Sequence, residues 1–221
     1  MDVNATIQTW INVLTHPNEQ TFVEEGSRPQ ANFTTAIIWM VITGAVTGIL
    51  GWVAFNMLFG SSNGLLAMID QMDLPAETAT QMRQMFSNGM MSAMVGGAGL
   101  SSIVFTPISF LIGAVIFYFI GRMLGGSGDL GRYAYLLATF QAPLGIIRAL
   151  LGLVPIAGGC LGLLLGIYSL VLTYFATKVG LNLSSGKAIA VIVIPVAVLL
   201  LLMICFVGSI AGLIFSIQNN Q

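Results

Sequence analysis

Residues 121–155 read GRMLGGSGDLGRYAYLLATFQAPLGIIRALLGLVP, and the rest of the chain is best understood from this segment. A glycine-rich turn with basic side chains separates two apolar runs. Two apolar runs joined by a short charged turn are typical of helices that cross a bilayer in opposite directions. The second run contains Gln141, Pro143 and Arg148, so polar groups lie within a segment predicted to cross the membrane.

The composition predicts a membrane protein. Hydrophobic residues make up 57% and charged residues 7% of the chain, whereas a soluble domain carries about 25% charged residues. Basic and acidic residues nearly balance, so nucleic acid is not expected as a partner. Cys160 and Cys205 lie in apolar runs and are interpreted as packed small side chains rather than a disulfide or metal pair.

Five apolar runs are long enough to cross a hydrocarbon core, which takes about 20 helical residues. We expect an all-α polytopic membrane protein with short interfacial helices and a bundle of five transmembrane helices. The expected spans are about 33–59, 100–124, 133–154, 159–177 and 188–215, with an N-terminal segment at 1–32, a membrane domain at 33–216 and an outer loop at 60–99. Residues 90–99 are interpreted as a short lead-in to the second span or, alternatively, as a re-entrant loop. Pro155–Gly158 is expected to form a tight turn.

The basic residues of the short loops predict the orientation, because such residues stay in the cytoplasm. With five spans, the side that holds the N-terminus has five basic residues: Arg28, Arg122, Arg132, Lys178 and Lys187. The other side has Arg83, with Arg148 near its surface. We therefore place the N-terminus in the cytoplasm and the C-terminus outside, in the cell membrane if the protein is prokaryotic.

The N-terminal segment contains an amphipathic helix. Ile7, Trp10, Ile11 and Leu14 recur at spacings of three and four, which places them on one helical face. This face either lies on the membrane with Trp10 as an interfacial anchor or docks on the protein's own helices.

Small and polar side chains form stripes along the predicted spans. Gln141, Gly145 and Arg148 share one face of the third span, and bending points are expected at Thr106-Pro107 and Pro143. The stripe is either a helix-packing surface or the lining of a polar pathway. Arg148 either extends to the headgroups or faces a ligand within the protein. Glycines expected to let helices approach closely are Gly44, Gly48 and Gly51 on the first span, and Gly158, Gly162 and Gly166 at the start of and along the fourth.

Two further patterns contain residue types that are found in nucleotide-binding or metal sites. Gly126, Gly128 and Gly131 match the letters of a dinucleotide-binding turn, but a membrane span rather than a strand precedes them. Met82 and Met85 belong to a methionine cluster in the outer loop, which suits a partner-binding helix or, as a weaker alternative, Cu(I). The sequence provides no nucleophile–base pair and no cofactor motif, so catalysis is not predicted.

Several short motifs occur along nearly the whole chain: Pro17 with Thr21-Phe22, Gly125-Gly126-Ser127-Gly128, Tyr135, Pro143, Leu183-Ser184 and Lys187-Ala188. In the order and spacing of these motifs the chain resembles the Yip family of Ypt- or Rab-interacting membrane proteins. The fourth span carries Tyr168 where the family usually has a tryptophan. The resemblance implies a five-span fold and, from the short N-terminal region, a compact prokaryotic-type member.

The first functional hypothesis, implied by this resemblance, is a role in membrane organisation or trafficking-like processes. Membrane lipids are the first expected partners, and other membrane proteins, small GTPase-type proteins and further copies of the chain are the others. Arg122, Arg132, Lys178 and Lys187 would make the cytoplasmic contacts. The alternatives are a small transporter or channel that uses the stripe of the third span, and Cu(I) handling.

Overall fold

The computed structural model describes residues 3–59, 76–87 and 90–218. These residues form α1 (Val3–Thr15), α2 (Glu19–Gly26), α3 (Phe33–Phe59), α4 (Ala76–Ser87), α5 (Met90–Met123), α6 (Leu130–Leu151), α7 (Pro155–Gly180) and α8 (Ser185–Gln218). Helices α3, α5, α6, α7 and α8 are long and apolar enough to cross a membrane. The predicted all-α bundle with five candidate spans is therefore confirmed.

Helix α5 begins at Met90 and continues to Met123, which rules out a re-entrant loop over residues 90–99. The part of this helix that could cross a membrane is Gly99–Met123, so residues 90–98 precede the span as the lead-in interpretation expects. The tight turn expected at Pro155–Gly158 is wrong. Pro155 is the first residue of α7 rather than part of the turn, which ends at Val154. Proline is suited to the first position of a helix because its missing N–H would have no helical partner there.

Helix α6 is the centre of the bundle. It contacts α1, α2, α3, α5 and α7, and every residue from 133 to 140 is buried. Asp129 caps this helix, since its carboxylate accepts a hydrogen bond from the Arg132 backbone N–H at 3.0 Å. The largest buried side chains thus gather in the half of the bundle nearest the N-terminal helices.

Helices α3 and α5 meet along a seam of small residues. A Cβ added to Gly44 or Gly48 would overlap the α5 backbone at Ser102 or Gly99, respectively. The Ser102 hydroxyl lies 2.6 Å from the Gly44 carbonyl oxygen and 2.7 Å from that of Gly99. These two glycines let the helix backbones approach closely.

The other predicted packing glycines behave differently. A Cβ added to Gly51, Gly162 or Gly166 would meet no atom within 4 Å, so these residues do not make a close helix approach within the described chain. Gly158 does, because a Cβ there would overlap the carbonyl oxygen of Leu151 at the end of α6. Gly162 and Gly166 therefore form no close seam with α6, although the Arg148 side chain of α6 reaches α7 at Leu165 and Ser169.

Candidate functional site

Two loops meet at the end of the bundle that carries the N-terminal helices. The Ser127 backbone N–H donates to the Leu181 carbonyl at 3.0 Å, and Asn182 Nδ2 donates to the Ser127 hydroxyl at 3.4 Å. A Cβ at Gly128 would overlap the Gly180 carbonyl oxygen, so this approach requires glycine. The glycine-rich turn therefore serves loop packing and follows a helix, not the strand that a dinucleotide site needs. Residues 121–132 and 178–187 together form a surface that we call the loop face.

Two of the four basic residues predicted to make contacts are exposed on the loop face. The Arg122 guanidinium donates to the Gly126 carbonyl at 3.1 Å. The Lys187 ammonium lies beside the same turn, 3.3 Å from where a Cβ of Gly125 would be. Gly125 has a φ of 90°, which favours glycine and sets the path of the turn. Two exposed positive charges, one near the end of α5 and one at the start of α8, thus converge on one glycine turn.

The other two basic residues are engaged with α2. Lys178 forms a salt bridge with Glu19. Arg132 packs against Gly26, where an added Cβ would lie 2.9 Å from the Arg132 Nε. That Nε is buried and has no hydrogen-bond partner among the described residues. Lys178 and Arg132 therefore help to position the N-terminal helices rather than add to the exposed charge.

The N-terminal helices dock on the bundle, but α1 does so through Thr9, Trp10 and Val13, whereas Ile7 and Ile11 of its predicted apolar face are exposed. Helix α1 contacts α6, and α2 contacts both α6 and α7. Fully buried Phe22 lies between Phe140 and Phe175, with ring centroids 6.4 and 6.1 Å away. Trp10 meets Trp39 edge to face at 5.8 Å. The Trp10 side chain therefore packs within the protein rather than acting as an interfacial anchor.

A buried carboxylate ties the two N-terminal helices together. Glu25 is fully buried and pairs with Arg28 at 2.9 Å, and it accepts hydrogen bonds from Thr9 at 3.2 Å and Asn12 at 3.4 Å. Arg28 also donates to the Thr9 hydroxyl at 3.1 Å. Burying a carboxylate is favourable only with such partners. The cluster therefore fixes α1 against α2.

The sequence analysis does not predict this cluster, because the burial of Glu25 depends on which helices meet. A local signal for α2 is present in the sequence. Asn18 follows Pro17, and its side chain caps α2 by accepting from the Thr21 backbone N–H at 2.9 Å. Asn is one of the preferred residues at the N-cap of a helix.

The stripe predicted on the third span is divided between different neighbours. Gln141 lines a groove of about 540 Å³ together with Thr106 of α5. Gly145 instead faces α3, since an added Cβ would lie 3.0 Å from the Thr43 methyl. Pro107 and Pro143 are both buried inside their helices. Only Gln141 and Thr106 are brought together in one groove.

Arg148 turns toward α7. Its Nη2 donates to the Leu165 carbonyl at 3.1 Å and to the Ser169 hydroxyl at 3.2 Å. The Ser169 hydroxyl in turn donates to the Gly166 carbonyl at 2.7 Å. A backbone carbonyl and a hydroxyl thus satisfy part of the guanidinium, and the residue joins α6 to α7 without lining the groove at Gln141.

The weak copper prediction falls on side chains that the structure leaves undescribed. Met82 and Met85 belong to α4, but their side chains lie outside the described residues. Among the described residues, no group of three or more His, Cys, Asp or Glu side chains could hold a metal ion.

The fold and loop face define a class, that of polytopic helical membrane proteins with a docked N-terminal helix pair. The family model of the Yip1 domain matches residues 11–206 of the chain. The chain therefore belongs to the Yip1 domain family, and the resemblance stated from its motifs is confirmed. Comparison with curated proteins and comparison with solved structures gave no match.

Proposed function

We propose that the protein organises membranes without catalysis, by holding lipid or protein partners at its loop face. The observation that carries the proposal is the convergence of exposed Arg122 and Lys187 on one glycine turn. Each basic residue near an anionic membrane surface contributes about 1 kcal/mol of attraction. The site therefore suits lipid phosphates or the acidic side chains of a partner protein, and membership of the Yip1 domain family supports a trafficking-like role.

The state of the buried carboxylate supports a role without catalysis. Glu25 already accepts from Thr9, Asn12 and Arg28 and is fully buried, so it has neither access to a substrate nor a vacant position for proton transfer. Its hydrogen bonds hold two helices together, which is a structural task.

The proposal keeps the predicted orientation. Basic residues of short loops remain in the cytoplasm, so we place the loop face and the N-terminus there and the C-terminus outside. The partners would then be anionic lipids of the cytoplasmic leaflet or a membrane or small GTPase-type protein. Further copies of the chain would associate through the outer surface of α7, where Gly162 and Gly166 are open.

A photo-crosslinking amino acid at exposed Ser127 tests the proposal in native membranes. We expect a lipid or protein adduct that is lost when Arg122→Gln and Lys187→Gln are combined. Lys178→Gln is the matched control, because it removes the same charge from a cation already paired with Glu19. An adduct that survives the double substitution, or one that Lys178→Gln abolishes equally, would contradict a role for the two exposed cations.

A further inference from the structure

A polar groove opens on the side of the bundle, between α3, α5 and α6. Its volume is about 540 Å³, which is within the range of roughly 300–1,000 Å³ for small-molecule sites. Polar side chains on a membrane-crossing surface are costly and usually have a partner. Among the residues that the structure describes, no charged side chain lines the groove, and the polar ones are Ser101, Ser102, Thr106, Ser109 and Gln141.

Three of these side chains have no hydrogen-bond partner among the described residues: Thr106, Ser109 and Gln141. Ser102 differs, since its hydroxyl bonds across the α3–α5 seam to Gly44. A hydroxyl or amide left unpaired in an apolar medium costs several kcal/mol. The groove therefore suits an occupant that forms hydrogen bonds.

The polar side chains of the groove run from one membrane face toward the middle of the bundle. Helix α5 enters its apolar span at Gly99, at the end of the bundle opposite the N-terminal helices. Ser109 follows Ser101 by eight residues, or about 12 Å along a helix. Gln141 lies midway along α6. A row of hydroxyls thus leads from one leaflet, named the distal leaflet, toward the middle of the bundle.

We propose that this groove binds the headgroup of a zwitterionic phospholipid from the distal leaflet and holds it deeper in the bilayer than the other headgroups of that leaflet. Hydroxyl and amide donors bind phosphate oxygens, and a groove lined by neutral groups matches a headgroup without net charge. Phe105 is 63% exposed beside the groove and offers an apolar surface to the acyl chains. The site is separate from the loop face, so it can be tested independently of the proposed function.

Site-specific fluorescence quenching tests the proposal. In a background with Cys160 and Cys205 replaced by Ala, a single fluorophore is attached at Phe105→Cys or at Val104→Cys. The protein is placed in phosphatidylcholine nanodiscs that contain phosphatidylcholine with a headgroup nitroxide. Val104 is 56% exposed and one residue nearer to Gly99, so an undisturbed bilayer would quench it at least as strongly. We expect the larger loss of emission at Phe105→Cys.

Groove variants complete the test. Thr106→Val combined with Gln141→Leu removes two unpaired polar groups and should lower quenching at position 105 to the level at position 104. Thr43→Val is the control, because its hydroxyl bonds to Trp39 within α3 and lies outside the groove. Quenching at position 105 no greater than at position 104, or unchanged by the double substitution, would overturn the proposal. The proposal would also be overturned if Phe105→Cys formed disulfide-linked dimers and its fluorophore were not quenched, because a second copy of the chain would then lie in the groove.

Discussion

The buried pair of Glu25 and Arg28 predicts that two conservative substitutions differ in cost. The Glu25 side chain is 0% exposed and that of Arg28 is 38% exposed. When Glu25→Gln removes the negative charge, the guanidinium can turn to water. When Arg28→Gln removes the positive charge, a carboxylate stays buried with only Thr9 and Asn12 as partners.

The expected magnitudes follow from this difference in exposure. Arg28→Gln should destabilise the docked α1–α2 pair by about 3 kcal/mol, the lower end of the range for breaking a buried ion pair. Glu25→Gln should cost about 1.5 kcal/mol, the value for losing one hydrogen bond to a charged group. The double variant should cost less than the sum of the two, because the residues share one interaction.

The assay measures opening of the N-terminal helices directly. Val13 is fully buried in α1. The substitution Val13→Cys is made in a chain whose Cys160 and Cys205 are replaced by Ala, so that it supplies the single thiol. Its rate of reaction with a water-soluble maleimide reports the fraction of undocked helices. The rate should rise about 150-fold for Arg28→Gln and about 10-fold for Glu25→Gln, since about 1.4 kcal/mol corresponds to a factor of ten.

A control in a helix that α1 and α2 do not pack against separates undocking from general unfolding. Ala114 is buried in α5, so general unfolding would expose it, and labelling of Ala114→Cys in an otherwise cysteine-free chain should not change in either variant. The reasoning is refuted if Glu25→Gln accelerates labelling of Val13→Cys as much as Arg28→Gln does, or if neither variant changes it.

Three further predictions concern helix packing and capping. Gly48→Ala should destabilise the chain by about 2 kcal/mol through overpacking against α5, as measured by unfolding in mixed micelles. Gly51→Ala should have no such effect, and equal losses of stability would contradict the close approach of α3 and α5. Arg148→Gln should cost about 1 kcal/mol in the same assay by weakening its bonds to α7, and a gain in stability would contradict that contact. Asp129→Ala should cost about 1 kcal/mol through loss of the α6 cap, with Asp129→Asn as the control that keeps a capping oxygen.

The spans could be predicted because length and apolar content alone decide which segments cross a bilayer. The predicted range 33–59 agrees with α3. Such features depend on neighbouring residues only. They need no knowledge of which helices meet.

The direction of each helix face could not be predicted in the same way. A spacing of three and four residues puts Gly158, Gly162 and Gly166 on one stripe, but it does not say what that stripe faces. In the structure only Gly158 meets α6 closely. Likewise, Glu25 and Arg28 look solvated in sequence because their burial depends on helices far along the chain.

The docking of α1 has a consequence for how the chain is made. The Tyr168 hydroxyl donates to the Leu14 carbonyl at 2.6 Å across 154 residues of sequence. Helices α1 and α2 leave the ribosome before α6 and α7, yet their binding surface on these two helices is complete only after the fourth span has been synthesised. During that interval Phe22 lacks Phe140 and Phe175, so the nascent chain presents an apolar side chain to chaperones and to the insertion machinery. Biogenesis must protect the N-terminal helices until the helices that bury them have entered the membrane.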